Sequence, residues 1–337
     1  MNKDHTFSNF KKNSVSIIIV ISPISSLYLG HLIRMINTST DSIIVFEIYN
    51  RQLIKTSNGY QYRGFIYNNA LERLYKYYLA SMEIKNIISS YCSTVVYFAH
   101  PMHLVTNFVA RLCNKHNNTI CIIPDGVLNY YDCKPIFYSK EIIVKKIISP
   151  LLLLGNFKFN DNFMCFGMYN YEKIYALSLN YLNAPPNLKR ELLTLPRQTH
   201  IPPEPKGVII GQPINSRPEH EYKIIIQNML KLLKSYNINQ VLYKSHPREV
   251  LSHSFKDFIY SLNINICDDT EVIEMTCYKY THFISTTSSA LANIKIINKQ
   301  ATCISLFDKN NKIDLKTANN LKTYFKSLGV IIHEDFH

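Results

Sequence analysis

The sequence predicts an α/β fold: two doubly wound, Rossmann-like domains facing a cleft. Three observations carry that expectation. Short apolar runs alternate with longer amphipathic stretches along the chain, the pattern of βαβ units and a parallel sheet. The alternation stops at 195–206, where four prolines fall in twelve residues, and then restarts. The 337 residues are 47% hydrophobic and only 18% charged, enough for two domains with cores of their own.

Taken in order, the front half offers strands at 15–22, 42–47, 94–98, 119–123 and 163–167, each a short apolar run. The amphipathic stretches 69–89 and 103–115 read as helices between them. Proline lacks an N–H and restricts its predecessor, so the proline-rich segment reads as a linker. This gives domains at 1–195 and 207–337 with a linker at 196–206. Beyond it, strands are expected at 207–210, 240–243, 264–267, 282–285 and 303–306. Helices are expected at 219–236, 249–262, 271–278, 289–297 and 315–328.

Composition excludes several functions. The eight cysteines are scattered without a CxxC pair, which argues against a zinc ribbon or disulfide scaffold and suits a reducing, cytoplasmic compartment. With nine glycines and no GxGxxG or GxxxxGK, a glycine-rich phosphate loop is not expected. Lysine and arginine number 37 against 24 acids, a net charge of +13, which favours an anionic partner unless it serves solubility alone. The basic residues are dispersed, with no zinc-finger spacing or RNA-recognition signature, so nucleic acid is not the expected partner. The longest apolar runs, 15–21 and 147–154, fall short of the roughly 20 residues that span a bilayer. The stretch Lys140-Glu-Ile-Ile-Val-Lys-Lys-Ile-Ile-Ser-Pro-Leu-Leu-Leu-Leu154 is basic and apolar. It reads either as a helix resting on an anionic membrane surface or as the edge of a core.

Polar residues follow four of the expected strands: Pro124-Asp125-Gly126, Gly211-Gln212-Pro213, Lys244-Ser245-His246-Pro247-Arg248 and Thr286-Thr287-Ser288-Ser289. Ligands of open α/β sheets bind beyond the carboxyl ends of strands. Ser288 and Ser289 open a helix, where hydroxyls and N–H groups can hold a phosphate; plain N-capping is the alternative. His246, between Lys244 and Arg248, can face a leaving phosphate, or simply satisfy a loop. Asp125 can take a proton from an attacking hydroxyl, or serve an Asp-Gly turn. Asp268, Asp269, Glu271 and Glu274 can receive ribose hydroxyls, or complement a helix dipole. A second His-Pro pair, His100-Pro101, has apolar neighbours and reads as structural or acceptor-side. No DxD motif occurs, which leans toward a donor with a single phosphate. Neither a metal nor any other cofactor is expected.

Pro124-Asp125-Gly126, His246-Pro247 and the pair Ser288-Ser289 stand in the order of the D/E-D/E-G, HP and serine-pair motifs, and the chain resembles the bacterial sialyltransferases that carry them. Gly211-Gln212-Pro213 is similar to a segment of their lipooligosaccharide and polysialyl branches, and Glu271-Val-Ile resembles a helix start found in some members. The resemblance implies a GT-B fold, an acceptor side in the first domain, CMP-sialic acid as donor and inversion at the anomeric carbon. It implies Asp125 as general base, His246 assisting CMP departure, and Ser288 and Ser289 on the phosphate. Gly126, Pro247, Gln212, Lys244 and Glu271 would line the site, the last three on the cytidine side. Proline replaces the first acid of the first motif, leaving Asp125 as its only carboxylate. The acceptor would be a bacterial surface glycan, lipid-linked in a lipopolysaccharide or capsule pathway, reached from the inner face of the inner membrane. Transfer of Kdo or glycerophosphate from other cytidine-activated donors, and a non-catalytic role in polysaccharide assembly, are the alternatives.

Overall fold

A computed structural model of the chain describes residues 12–36, 41–54, 59–124, 139–160, 162–179, 182–193, 204–212, 218–246, 249, 251–267, 271–307 and 315–334. The chain divides into two compact units.

The first unit is a seven-stranded parallel sheet. Its strands are β1 (Lys12–Val20), β2 (Ile43–Glu47), β3 (Gln61–Gly64), β4 (Tyr91–Phe98), β5 (Thr119–Ile122), β6 (Tyr171–Ala176) and β7 (Lys189–Leu192). The order is β3-β2-β1-β4-β5-β6-β7. The central β1 carries Val15, Ile17, Ile18, Ile19 and Val20, all fully buried, because a strand covered on both faces must be apolar throughout. Helices α1 (Pro23–Leu27), α2 (Leu29–Ile36), α3 (Ala70–Ser90), α4 (Leu104–His116) and α5 (Ser139–Leu151) complete the unit. Ser22 caps α1 and Pro23 occupies its first turn, a start signal that the apolar run across 15–22 overrode. Asn69 caps α3 at the predicted place.

One expected strand is absent. The run 163–167 is buried at Phe163, Met164 and Cys165, yet Cys165 and Gly167 have φ of 50° and 83°. Left-handed residues turn the chain and cannot continue a ladder, so the run is a buried loop and the strand follows it as β6. Edge strands β3 and β7 were not expected either, since Gln61–Gly64 and Lys189–Leu192 are mostly polar and partly exposed.

The second unit is a six-stranded parallel sheet of β8 (Lys206–Ile210), β9 (Gln240–Lys244), β10 (Asn265–Ile266), β11 (His282–Ser285), β12 (Thr302–Phe307) and β13 (Ile331–Glu334). Its order is β10-β9-β8-β11-β12-β13, so winding reverses between β8 and β11. Its helices are α6 (Glu219–Ser235), α7 (His253–Ser261), α8 (Ile273–Thr276), α9 (Ser289–Ile297) and α10 (Leu315–Ser327). A 3-10 turn, Cys277–Lys279, extends α8. The helix expected over 249–262 begins only at His253, capped by Ser252. Glu249 is held in a turn instead, its N–H donating to the His246 carbonyl at 2.8 Å.

One buried carboxylate of the first unit is matched by near neighbours. Glu47, fully buried, accepts from the Tyr62 hydroxyl at 2.6 Å, from the Ile54 N–H at 3.4 Å and from the Leu53 N–H. Glu47→Ala strands these donors in the interior. It should lower unfolding free energy by about 3 kcal/mol, and Tyr62→Phe by about 1 kcal/mol, measured by urea denaturation.

Candidate active site

Three neighbouring strands of the second unit deliver their carboxyl ends to one edge of the sheet. β8 lies between β9 and β11, parallel to both. Gln212 therefore follows β8, His246 follows β9, and Ser288 and Ser289 follow β11, side by side. The reversal of winding between β8 and β11 is where open α/β sheets form a ligand crevice.

Two buried serines fix the β11 exit. Ser285 Oγ donates to the Ile210 carbonyl at 2.7 Å, and Ser305 of β12 donates to the Thr286 carbonyl. The Gln212 side-chain amide reaches Ser285 Oγ at 3.4 Å. Ser288 caps α9, its Oγ accepting from the Ala290 N–H at 3.3 Å. A capping oxygen keeps its own O–H as a donor, and the helix end adds positive potential. Both readings of this serine, cap and anion contact, are thus compatible.

The β9 exit is tied to the β8 exit. The Gly211 N–H donates to the Lys244 carbonyl at 2.8 Å, and Lys244 is largely buried. A Cβ on Gly211 would lie 2.5 Å from Tyr243 Oη and 2.8 Å from Glu249 Oε2, so a glycine here leaves room for those two side chains. Glu249 accepts from the His246 N–H at 2.9 Å and lies 3.0 and 3.1 Å from the Tyr243 hydroxyl. Burial pushes its carboxyl up to about 7, against the downward pull of those two donors. Burial also raises Tyr243 far above the tyrosine range, so it stays a neutral donor. Sequence reasoning missed Glu249. Its spacing three residues after His246 was the available signal; its tyrosine partner was not.

Glu271 precedes α8. That helix is fastened to α9 by Asn293 Nδ2, which donates to Glu274 at 3.0 Å. Glu274 is buried, and desolvation raises its carboxyl. The structure thus groups Gln212, Lys244, His246, Ser288 and Ser289 along one edge, with Glu271 after β10. Asp125, Gly126 and Pro247 lie outside the described residues, as do Asp268 and Asp269.

In the first unit, the second His-Pro pair serves the backbone. His100 Nδ1 accepts from the Met102 N–H at 3.2 Å, and its ring meets Phe163 edge-on at 4.7 Å. His103 caps α4 by accepting from the Val105 N–H at 3.3 Å. Burial first, then Lys145, His100 and Arg73, hold His103 well below the usual histidine range, as an accepting ring nitrogen requires.

No protein-family model and no curated protein matches the chain in sequence. Solved structures do match in fold. An α/β-galactoside α-2,3-sialyltransferase of Photobacterium phosphoreum is 12% identical, with a TM-score of 0.58 over 96% of this chain and 99% of that one. The chain has the GT-B fold of bacterial sialyltransferases. A Photobacterium sp. JT-ISH-224 2,6-sialyltransferase, solved with CMP and lactose, is 14% identical, with a TM-score of 0.53 over 95% of this chain and 78% of that one. The fold is shared more widely. A Neisseria meningitidis UDP-GlcNAc 2-epimerase bound to UDP-GlcNAc is 10% identical, with a TM-score of 0.54 over 94% of both chains.

Two outcomes follow from this geometry. Gly211→Ala should destabilise the second unit by about 1–3 kcal/mol, and the loss should be smaller when the same change is made in a Tyr243→Phe background, where the nearest clash is gone; thermal denaturation reads both. Glu249 holds its proton to about 7 when folded, against an ordinary 4.5. Its contribution to stability is therefore complete below 4.5 and lost as pH rises to about 7. Denaturation midpoints across that interval should show this component in the parent and lack it in Glu249→Gln.

Proposed function

We propose that the protein is an inverting sialyltransferase, moving sialic acid from CMP-sialic acid to a hydroxyl of a bacterial surface glycan. The single observation that carries this reading is the placement of Gln212, the His246 loop and the Ser288 cap along one sheet edge, in a chain with the sialyltransferase fold.

The chemistry needs little more. Loss of CMP leaves oxocarbenium character at a tertiary carbon, so the barrier falls mainly through stabilisation of the departing phosphate. Ser288 and Ser289 offer hydroxyls, and α9 offers its positive end. His246 assists departure by donating to, or pairing with, the phosphate. Asp125 accepts the acceptor proton late. Gln212, Lys244 and Glu271 receive the cytidine, and Gly126 and Pro247 join them in binding substrate. Neither a metal nor another cofactor enters this scheme. The fold shared with UDP-GlcNAc 2-epimerases makes epimerisation of a uridine donor the second reading. CMP-Kdo and CDP-glycerol are the remaining cytidine donors to test.

Among the described residues no helix is long and apolar enough to cross a membrane. Placement on the inner face of the inner membrane, beside a lipid-linked acceptor of the lipopolysaccharide or capsule pathway, rests on α5. That helix buries Ile142 and Ser149 but exposes Ile143 at 57%, Ile147 at 58% and Leu151 at 75%, near the exposed Lys140 and Lys146. Apolar side chains flanked by lysines suit an anionic bilayer surface.

Purified protein should release CMP from CMP-sialic acid, and not from CMP-Kdo, and should leave CDP-glycerol and UDP-GlcNAc unchanged, as followed by mass spectrometry. His246→Ala and Asp125→Ala should each lower turnover roughly 100-fold or more, and each should remove one limb of a bell-shaped pH profile. Turnover within about threefold of the parent for both variants would defeat the assignment. Sedimentation with phosphatidylglycerol vesicles should be lost in Ile147→Glu/Leu151→Glu while turnover of a soluble acceptor persists.

A further inference from the structure

We propose that Glu249 is a positioning residue that fixes the His246 loop against Gln212 through the two tyrosine hydroxyls between them; this rests on reading these residues as the nucleotide side of the transfer site.

Four segments contribute to the chain. The Gln212 N–H, at the β8 exit, donates to the Tyr222 hydroxyl of α6 at 2.7 Å. Tyr222 and Tyr243 hydroxyls lie 3.3 Å apart. Tyr243, on β9, donates to Glu249, which also accepts the His246 N–H. Both tyrosines are buried, at 4% and 0% exposure. The direction of the chain follows from its ends. An ionised carboxylate only accepts, so Tyr243 must donate to Glu249. Tyr222 must then donate to Tyr243 and accept from Gln212. One carboxylate thereby orders every hydroxyl proton between the two strand exits. Gly211 lies over the chain with no room for a Cβ, which holds the β8 exit down on it.

Among the described residues, the groups facing the carboxylate are the Tyr243 hydroxyl from β9, the His246 N–H, Tyr222 of α6 one hydroxyl away, and the Gly211 backbone at the end of β8. Protonation changes what it can do. A neutral carboxyl can donate to Tyr243, reversing the order of the chain, and it accepts the His246 N–H without charge assistance. The His246 N–H is therefore held less tightly as pH falls through the carboxyl's raised range near 7.

The test is amide hydrogen exchange of the full chain at pH 8, paired with CMP binding by calorimetry. The His246 and Gln212 amides should exchange slowly in the parent. Glu249→Gln should speed the His246 amide at least about tenfold, the loss of a charge-assisted bond. Tyr222→Phe should speed the Gln212 amide and leave His246 nearer the parent rate. CMP affinity should fall by about tenfold in Glu249→Gln at pH 8, and the difference from the parent should shrink by pH 6. Should Glu249→Gln unfold, Tyr243→Phe cuts the same chain and must speed both amides. A His246 amide exchanging at the parent rate in every folded variant overturns the proposal. A parent that shows the expected exchange pattern but does not bind CMP upholds the clamp and overturns the transferase reading.

Discussion

A parallel sheet wound outward in both directions from β8 forces the strands on its two sides to send their helices to opposite faces. The carboxyl ends of β8 and β11 stay adjacent while the chain beyond them diverges. The candidate site depends on that constraint. It sets Gln212, His246 and the α9 N-terminus side by side although they are separated by tens of residues. It also requires the central strands to be apolar on both faces, so polar function is confined to their ends.

Those ends are made rigid by buried polar pairings. Ser285 and Ser305 donate to carbonyls of neighbouring segments, and Asn293 fastens α9 to Glu274 of α8. Each bond satisfies a group that would be costly to bury alone. Glu249 carries a conflict of its own, because partial burial opposes the ionised form that the hydroxyl chain needs. Its raised proton affinity and its place in the turn are two consequences of one act of burial. The histidines of the first unit show the contrast. His103 is buried as deeply but accepts from a backbone N–H, so neutrality serves it and no charge is required.

The charge excess has a partial structural counterpart. Lysines accompany the exposed apolar side of α5, while Lys145 turns inward to the Met102 carbonyl and Glu141. On α5, basic charge and exposed apolar side chains coincide.

By itself the sequence determined the alternation of strands and helices, the restart after the prolines, and the capped helix at Ser288, because burial on both faces and helix capping leave local marks. It also marked His246 and the serine pair as strand-end residues. It misread 163–167, because an apolar run reports burial and not extension. It missed β3 and β7, because polar edge strands are held by ladder bonds to neighbours distant in the chain. Glu249 became meaningful only in three dimensions: Tyr243 precedes it by six residues on β9, but Tyr222 comes from α6, and the hydroxyl chain that joins them to Gln212 exists only once the sheet has formed.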